Sequence, residues 1–248
     1  MLARPTLGLR SSRNARPALL PKRSACAPCA TRGVRAVSLD ALGTLVYLDP
    51  PAPRLREALA AEGVDVGLAD ARRAFAVEIA YYIEHHLEGH DAAALEDLRD
   101  RCATVLGAEL GLEPSRVRAP MLGALRFGAF EDAAPALAEL RSRGLALVVV
   151  SNWDCSLCEV LADAGLDKLV DGVVPSARAG AAKPNPAPFH RGLELVGVAA
   201  EEALHVGDSP ENDLGGARAA GVRGVLLARQ GGGPPGAIRS LGELAHLT

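Results

Sequence analysis

From residue 34 onward, short continuous apolar runs alternate with longer segments whose apolar positions recur every three to four residues. The runs Val34–Leu39, Leu145–Val150, Gly172–Val174, Leu204–Val206 and Val222–Leu227 are strand-sized, the third being the weakest. Helical periods occupy Ala133–Arg143, Cys155–Ala164, Ala187–Val196 and Glu211–Ala220. Gly144, Gly165, Gly197 and Gly221 stand at or just past their ends, where helices stop. Strands apolar on both faces and separated by helices predict an α/β fold, a Rossmann-like doubly wound parallel sheet.

Residues 50–128 break this rhythm. They carry helical periods at Arg54–Ala61, Ala69–Leu87, Ala92–Glu109 and Ser115–Leu125 and no convincing strand. The economical reading is a helical cap, 50–128, inserted after the first strand into a core made of 34–49 and 129–248, with Phe127 and Phe130 marking the return hinge. The run Gly231-Gly232-Gly233-Pro234-Pro235 predicts a flexible loop. The longest apolar run, Leu145–Val150, is far short of a membrane span, so no membrane is expected as partner.

Composition adds little to this until the charge is mapped. The 248 residues are 49% apolar and 23% charged, which fits a globular domain and excludes collagen, extensive disorder and a disulfide scaffold. The formal charge of −3 is a sum over two unlike parts. Residues 1–35 hold eight basic residues (Arg4, Arg10, Arg13, Arg16, Lys22, Arg23, Arg32 and Arg35) and no acid. The remainder has 19 basic against 30 acidic residues, about −11, which argues against nucleic acid as a partner. Residues 1–33, rich in Arg, Ser and Pro, read as an organelle transit peptide, with chloroplast favoured over mitochondrion. The alternative is a disordered basic tail on a cytoplasmic protein. The five cysteines include two C-x-x-C pairs, Cys26/Cys29 and Cys155/Cys158. With the first pair in the presequence a zinc site is not expected; Cys155/Cys158 at a helix start leave a thiol switch open beside a reading as buried, inert thiols.

Ligands of an open parallel sheet bind beyond the carboxyl ends of the strands. There the sequence places Asp40, Ser151-Asn152 and Asp208, with Lys183 in an intervening loop and a helix start at Pro210. Carboxylates suit a hard cation such as Mg²⁺, and a lysine and a hydroxyl suit phosphoryl oxygens. Placement alone does not decide, because polar residues gather at strand ends in any case.

The strings themselves carry more. Asp40-Ala41-Leu42-Gly43-Thr44-Leu45, Val150-Ser151-Asn152, Lys183-Pro184-Asn185-Pro186 and Gly207-Asp208-Ser209-Pro210-Glu211-Asn212-Asp213 resemble, in order, the four motifs of the haloacid dehalogenase superfamily. The resemblance covers roughly residues 34–230. The branch it looks like is the domain-containing-protein-3 type, whose second motif often continues to an Asp, here Asp154. It implies a hydrolase in which Asp40 is the nucleophile and Ser151 and Lys183 bind and neutralise the transferring group, with Thr44 and Asn152 lining the substrate. It further implies Mg²⁺ held by Asp40, the Leu42 carbonyl and Asp208, with Asp213 supporting the metal or orienting Lys183. The implied substrate is a small phosphorylated metabolite; oligomeric state is left open.

Leu42 departs from the phosphatase pattern, which has a second Asp there as general acid and base. Its loss typically costs about 10²–10⁴-fold. Three alternatives follow. A catalytically weakened phospho-ligand-binding or interaction protein is one. A metal-independent 2-haloacid dehalogenase is another, for which Arg72 or Arg73 could supply the cap arginine but against which Asp208 argues. In the third, a cap histidine replaces the acid, from His85, His86 or His90, with His86/His90 at helical i, i+4 spacing. Phosphonoacetaldehyde hydrolysis needs a cap lysine, and residues 50–128 have none. The cap aromatics Phe75, Tyr81 and Tyr82 either line a pocket or pack the cap helices. Trp153 is expected beside the site.

Overall fold

The structure, a computed structural model, describes residues 33–248, so the basic segment expected as a transit peptide and the Cys26/Cys29 pair lie outside the described residues. The described part begins with β1 (Ala36–Leu39) and β2 (Val46–Leu48), then enters four helices: α1 (Pro51–Ala61), α2 (Leu68–His85), α3 (Ala92–Leu110) and α4 (Pro114–Ala124). It returns through β3 (Phe127–Ala129), α5 (Ala133–Ser142), β4 (Ala146–Ser151), α6 (Leu157–Asp163), β5 (Gly172–Pro175), α7 (Ser176–Ala179) and α8 (Ala187–Val196). The last part is β6 (Ala203–Gly207), a π-helical turn (Pro210–Gly215) that runs into α9 (Gly216–Ala219), β7 (Arg223–Leu226) and a 3₁₀ segment (Leu241–His246).

Five strands form one parallel sheet in the order β5-β4-β1-β6-β7. Alternate side chains of each strand point to opposite faces. Val37, Leu39, Leu147 and Val149 therefore join Leu137 and Leu140 of α5, Leu157 and Leu161 of α6, and Leu241 and Leu244 of the C-terminal 3₁₀ segment. On the other face Ala36 and Ala203 meet Phe189 and Leu193 of α8 and Ala217 of α9, while Val148 and Val150 pack with Val174 against Val196. Both faces are covered, which is why the strands read as unbroken apolar runs.

The helices α1–α4 have a core of their own, including Leu55, Leu59, Phe75, Leu98, Leu106, Val117 and Met121, and Cys155 from the loop after β4 packs into it. Phe75 is thus a packing residue. The polar seam to the sheet is specific. The Tyr82 hydroxyl donates to Asp154 Oδ2 at 2.9 Å, the Cys155 amide donates to the Gly89 carbonyl at 2.8 Å, and His86 Nε2 lies 3.0 Å from Ser176 Oγ.

Two features depart from the sequence reading. Strands β2 and β3 pair antiparallel, Val46 opposite Ala129 and Leu48 opposite Phe127, where no strand was expected at the end of 50–128. Three residues are too few to display a period, and the pairing is fixed by contacts distant in sequence. The segment expected as one helix from Glu211 starts instead as a π-helical turn, with the Ser209 side chain accepting from the Asn212 amide at 3.1 Å. Such turns occur often at functional sites.

Candidate active site

Strand register assembles the site. Leu39 pairs with Val149 on one side and Val206 on the other, so Asp40 leaves the sheet between Ser151 and Asp208, each two residues past those partners. The chain order also reverses here, because β4 and β5 lie on one side of β1 and β6 and β7 on the other. A crevice at such a point is where ligands of open α/β sheets bind.

Lys183 is the hub. Its Nζ donates to Asp40 Oδ1 at 2.7 Å and to Asp213 Oδ1 at 2.5 Å, with only 3% of the side chain exposed. Its backbone is held as firmly: the Lys183 amide donates to Asn152 Oδ1 at 2.7 Å, and Asn152 Nδ2 donates to the Lys183 carbonyl at 2.9 Å. Asn152, expected at the substrate, uses both ends of its amide on the backbone of this loop. Burial disfavours the ammonium, but the charges of Asp40 and Asp213 outweigh it, and the Lys183 pKa stands above the ordinary lysine value.

Asp213 is nearly saturated. Its Oδ1 also lies 3.1 Å from His205 Nε2, and its Oδ2 accepts from the Ser209 amide at 2.9 Å. Burial opposes its charge, yet the His205 hydrogen bond and Lys183 hold the carboxyl well below the usual range. Of the two roles open to Asp213, orienting Lys183 is the one its contacts describe. Beneath it, His205 Nδ1 is 2.9 Å from Ser38 Oγ, and Ser38 and His205 are register partners on β1 and β6. Burial pushes the His205 pKa down, so the ring is neutral, with Nε2–H donating to Asp213 and Nδ1 accepting from Ser38. Neither residue was singled out from sequence. A histidine and a serine inside apolar strand runs were the available signal.

Among the described residues, no other side chain hydrogen-bonds or ion-pairs with Asp208 in this way. Burial, followed by the negative charge of Asp40 and Asp213, pushes its carboxyl up to about 6. One carboxylate oxygen from each of Asp40, Asp208 and Asp213 lies within 4.8 Å of the others. In the turn after Asp40, the amides of Thr44, Leu45 and Val46 donate to the Ala41 carbonyl and that of Gly43 to the Val46 carbonyl. Among the described residues no hydrogen bond ends on the Leu42 carbonyl. Carboxylates plus a spare carbonyl form an all-oxygen set, and that donor chemistry fits Mg²⁺. Gly43 makes the crowding possible: at φ +79°, a Cβ there would lie 2.1 Å from Asp208 Oδ2.

The remaining expectations divide. Ser151 ends β4 and is buried; Thr44 is fully buried, its hydroxyl closed to solvent and without a hydrogen-bond partner among the described residues. Leu42 is 45% exposed. Trp153 is buried and meets Phe127 in a tilted ring contact, 5.0 Å between centroids. The histidine expectation is corrected. Helix α2 ends at His85 and His86–Glu88 is a 3₁₀ turn, so His86 and His90 are no helical i, i+4 pair. His86 is buried with both nitrogens engaged, to the Ile83 carbonyl and Ser176, and His85 stacks on Tyr81. Exposed Arg73 pairs with Asp70 at 2.8 Å on the surface of α2. Cys155 is buried and its thiol is pushed up by burial, the opposite of an activated thiolate.

The profile of the haloacid dehalogenase-like hydrolases matches residues 34–221. The chain belongs to that family. Among related haloacid dehalogenase-like proteins, it is 43% identical over 98 residues to haloacid dehalogenase-like hydrolase domain-containing protein 3 of Bos taurus, covering 40% of this chain and 39% of that one. It is 44% identical over 105 residues to a phosphoserine phosphatase of Thermus thermophilus, covering 42% of each. The chain thus spans about two-fifths of the length of the curated relatives it matches. Among solved structures, L-2-haloacid dehalogenase of Xanthobacter autotrophicus superposes with a TM-score of 0.63 at 25% identity, covering 86% of this chain and 98% of that one.

Proposed function

We propose that this chain is a Mg²⁺-dependent, phosphatase-like hydrolase acting on small phosphorylated metabolites with good leaving groups. The observation that carries the reading is Asp208, a carboxylate raised to about 6 and set within 4.8 Å of two more. That charge density suits a divalent cation, which supplies neutralisation of the phosphoryl oxygens when bound. Asp40, Asp208 and the Leu42 carbonyl would hold it.

Asp40 then forms the P–O bond as the ester P–O bond breaks, giving an aspartyl phosphate that water cleaves. Lys183 orients Asp40 and offsets charge on the transferring group, and Asn152 and Asp213 keep Lys183 in place. Phosphoryl transfer depends chiefly on such positioning and charge neutralisation, so it can proceed without a general acid. Leu42 cannot protonate an alkoxide, so turnover falls on leaving groups that depart as stable anions. The helices α1–α4 serve as a cap over the crevice.

A second reading, a phospho-ligand-binding protein with weak turnover, is favoured by the same exposed Leu42. One assay separates the readings: wild type and Asp40→Asn with Mg²⁺ against 4-nitrophenyl phosphate, an alkyl phosphate and 2-chloropropionate. Metal-dependent release of 4-nitrophenol, lost in Asp40→Asn, supports the hydrolase. Equal inertness of both proteins, with inorganic phosphate still bound in calorimetry, supports the binding protein. Chloride release without metal would make it a dehalogenase.

A further inference from the structure

Arg229 follows β7, outside the four motif strings, yet it reaches the turn behind the nucleophile. Its Nη2 donates to the Thr44 carbonyl at 2.6 Å and its Nε to the Gly43 carbonyl at 3.3 Å. The far side of the guanidinium is forked onto Asp132, Nη1 to Oδ2 at 3.0 Å and Nη2 to Oδ1 at 2.9 Å. Its plane lies over Phe130, 3.8 Å from the ring centroid, and the Phe130 amide donates to the Leu45 carbonyl at 3.0 Å. Asp132 is fixed in turn by the Ser240 hydroxyl at 2.8 Å and the Leu241 amide at 2.9 Å. One side chain therefore ties together the outgoing chain at 43–45, the returning chain at 130–132 and, through Asp132, the C-terminal segment.

We propose that Arg229 is a positioning residue of the reaction: it fixes the turn that presents Leu42 to the Asp40–Asp208 crevice. The inference rests on the hydrolase reading above. The turn has little tolerance, because Gly43 sits against Asp208 so closely that a Cβ would overlap Oδ2 at 2.1 Å. A turn that drifts moves the Leu42 carbonyl away from Asp208 or presses Gly43 onto it. Only a planar donor fork can serve two carbonyls and a carboxylate while stacked on a ring; a lysine can serve some of them but not all.

The test compares wild type, Arg229→Lys and Arg229→Met for kcat and KM on 4-nitrophenyl phosphate, and for Mn²⁺ affinity by calorimetry. Melting temperatures are recorded so that all assays run well below unfolding. The expected result for Arg229→Met is a fall in kcat of about 10²-fold, the scale of a misplacement near 1 Å, with KM changed far less. Mn²⁺ binding should weaken about tenfold or more, taking a modest loss on the scale of allosteric couplings as the guide. Arg229→Lys should recover part of both. If Arg229→Met lowers only the melting temperature and leaves kcat and Mn²⁺ affinity at wild-type values, the residue is merely structural and the proposal is overturned. A wild type that neither turns over nor binds Mn²⁺ refutes the hydrolase reading itself, and the role of Arg229 falls with it.

Discussion

Replacing Asp208 by Asn should stabilise the metal-free protein while removing its response to Mg²⁺. The amide keeps the shape that packs against Gly43 and deletes one charge from a cluster of three carboxylates offset by a single ammonium. At full value the rise in Asp208 from 3.8 to about 6 corresponds to about 3 kcal/mol of penalty on the charged form. Asp208 is exposed, so solvent screening reduces this to about 1–2 kcal/mol. For a domain of this size that is a gain of about 2–8 °C in melting temperature at pH 7.5 in EDTA. The sign follows from proton linkage. Between about pH 4 and 6 the native carboxyl retains a proton that the unfolded chain has lost, so wild-type stability falls as pH rises through that window and levels off above it. Asp208→Asn lacks that fall, so the gap between the two proteins opens between about pH 4 and pH 6 and is fully open above it. In Mg²⁺ at about a hundred times Kd the wild type should recover about 2.7 kcal/mol, and the variant should not. Thermal melts of both proteins from pH 5 to 8, in EDTA and in Mg²⁺, check each part. A variant that melts at or below wild type in EDTA at pH 7.5 refutes the like-charge reasoning. Equal Mg²⁺ shifts in both refute the role of Asp208 as ligand.

Other substitutions probe the same arrangement. Leu42→Asp should raise turnover of an alkyl phosphate by about 10²–10⁴-fold and that of 4-nitrophenyl phosphate far less, since only the poor leaving group lacks a proton donor; steady-state rates on the two esters measure this. Lys183→Met should abolish turnover and, by leaving Asp40 and Asp213 buried without their cation, lower stability in urea by about 3–5 kcal/mol. His86→Ala should cost about 1–3 kcal/mol in the same unfolding assay through its lost hydrogen bonds to Ser176 and the Ile83 carbonyl and the buried space it vacates, while the Ser176 hydroxyl keeps the Trp153 amide and carbonyl, and should leave the pH profile of kcat unchanged. A lost basic or acidic limb in that profile would return His86 to the chemistry.

The strand and helix alternation was legible because burial on both faces writes itself into continuous apolar runs, and the site followed because a parallel sheet gathers strand ends on one edge. The roles within the site were less legible. The position of Asn152 after β4 places it at the crevice, but whether its amide meets substrate or the backbone of Lys183 depends on the path of a loop 31 residues later. The spacing from Asp208 to Asp213 brings both near a cation but does not say that Lys183, His205 and the Ser209 amide already occupy the second carboxylate. The i, i+4 spacing of His86 and His90 assumed a helix that ends one residue earlier.

Arg229 is the sharpest case. Side chains that recognise side chains leave a trace in composition and spacing, whereas its partners at Gly43 and Thr44 are carbonyls that any residue would supply. A motif can therefore show which groups do the chemistry while giving no sign of what holds their backbone still. The turn after Asp40 needs such a hold more than most. The amides of Thr44, Leu45 and Val46 converge on the Ala41 carbonyl and that of Gly43 turns to the Val46 carbonyl, so none of these amides serves the Leu42, Gly43 or Thr44 carbonyls. Two of the three are taken by Arg229. The third, at Leu42, is the one that carries no hydrogen bond among the described residues, and under the proposal above its availability to a cation rests on the other two being held.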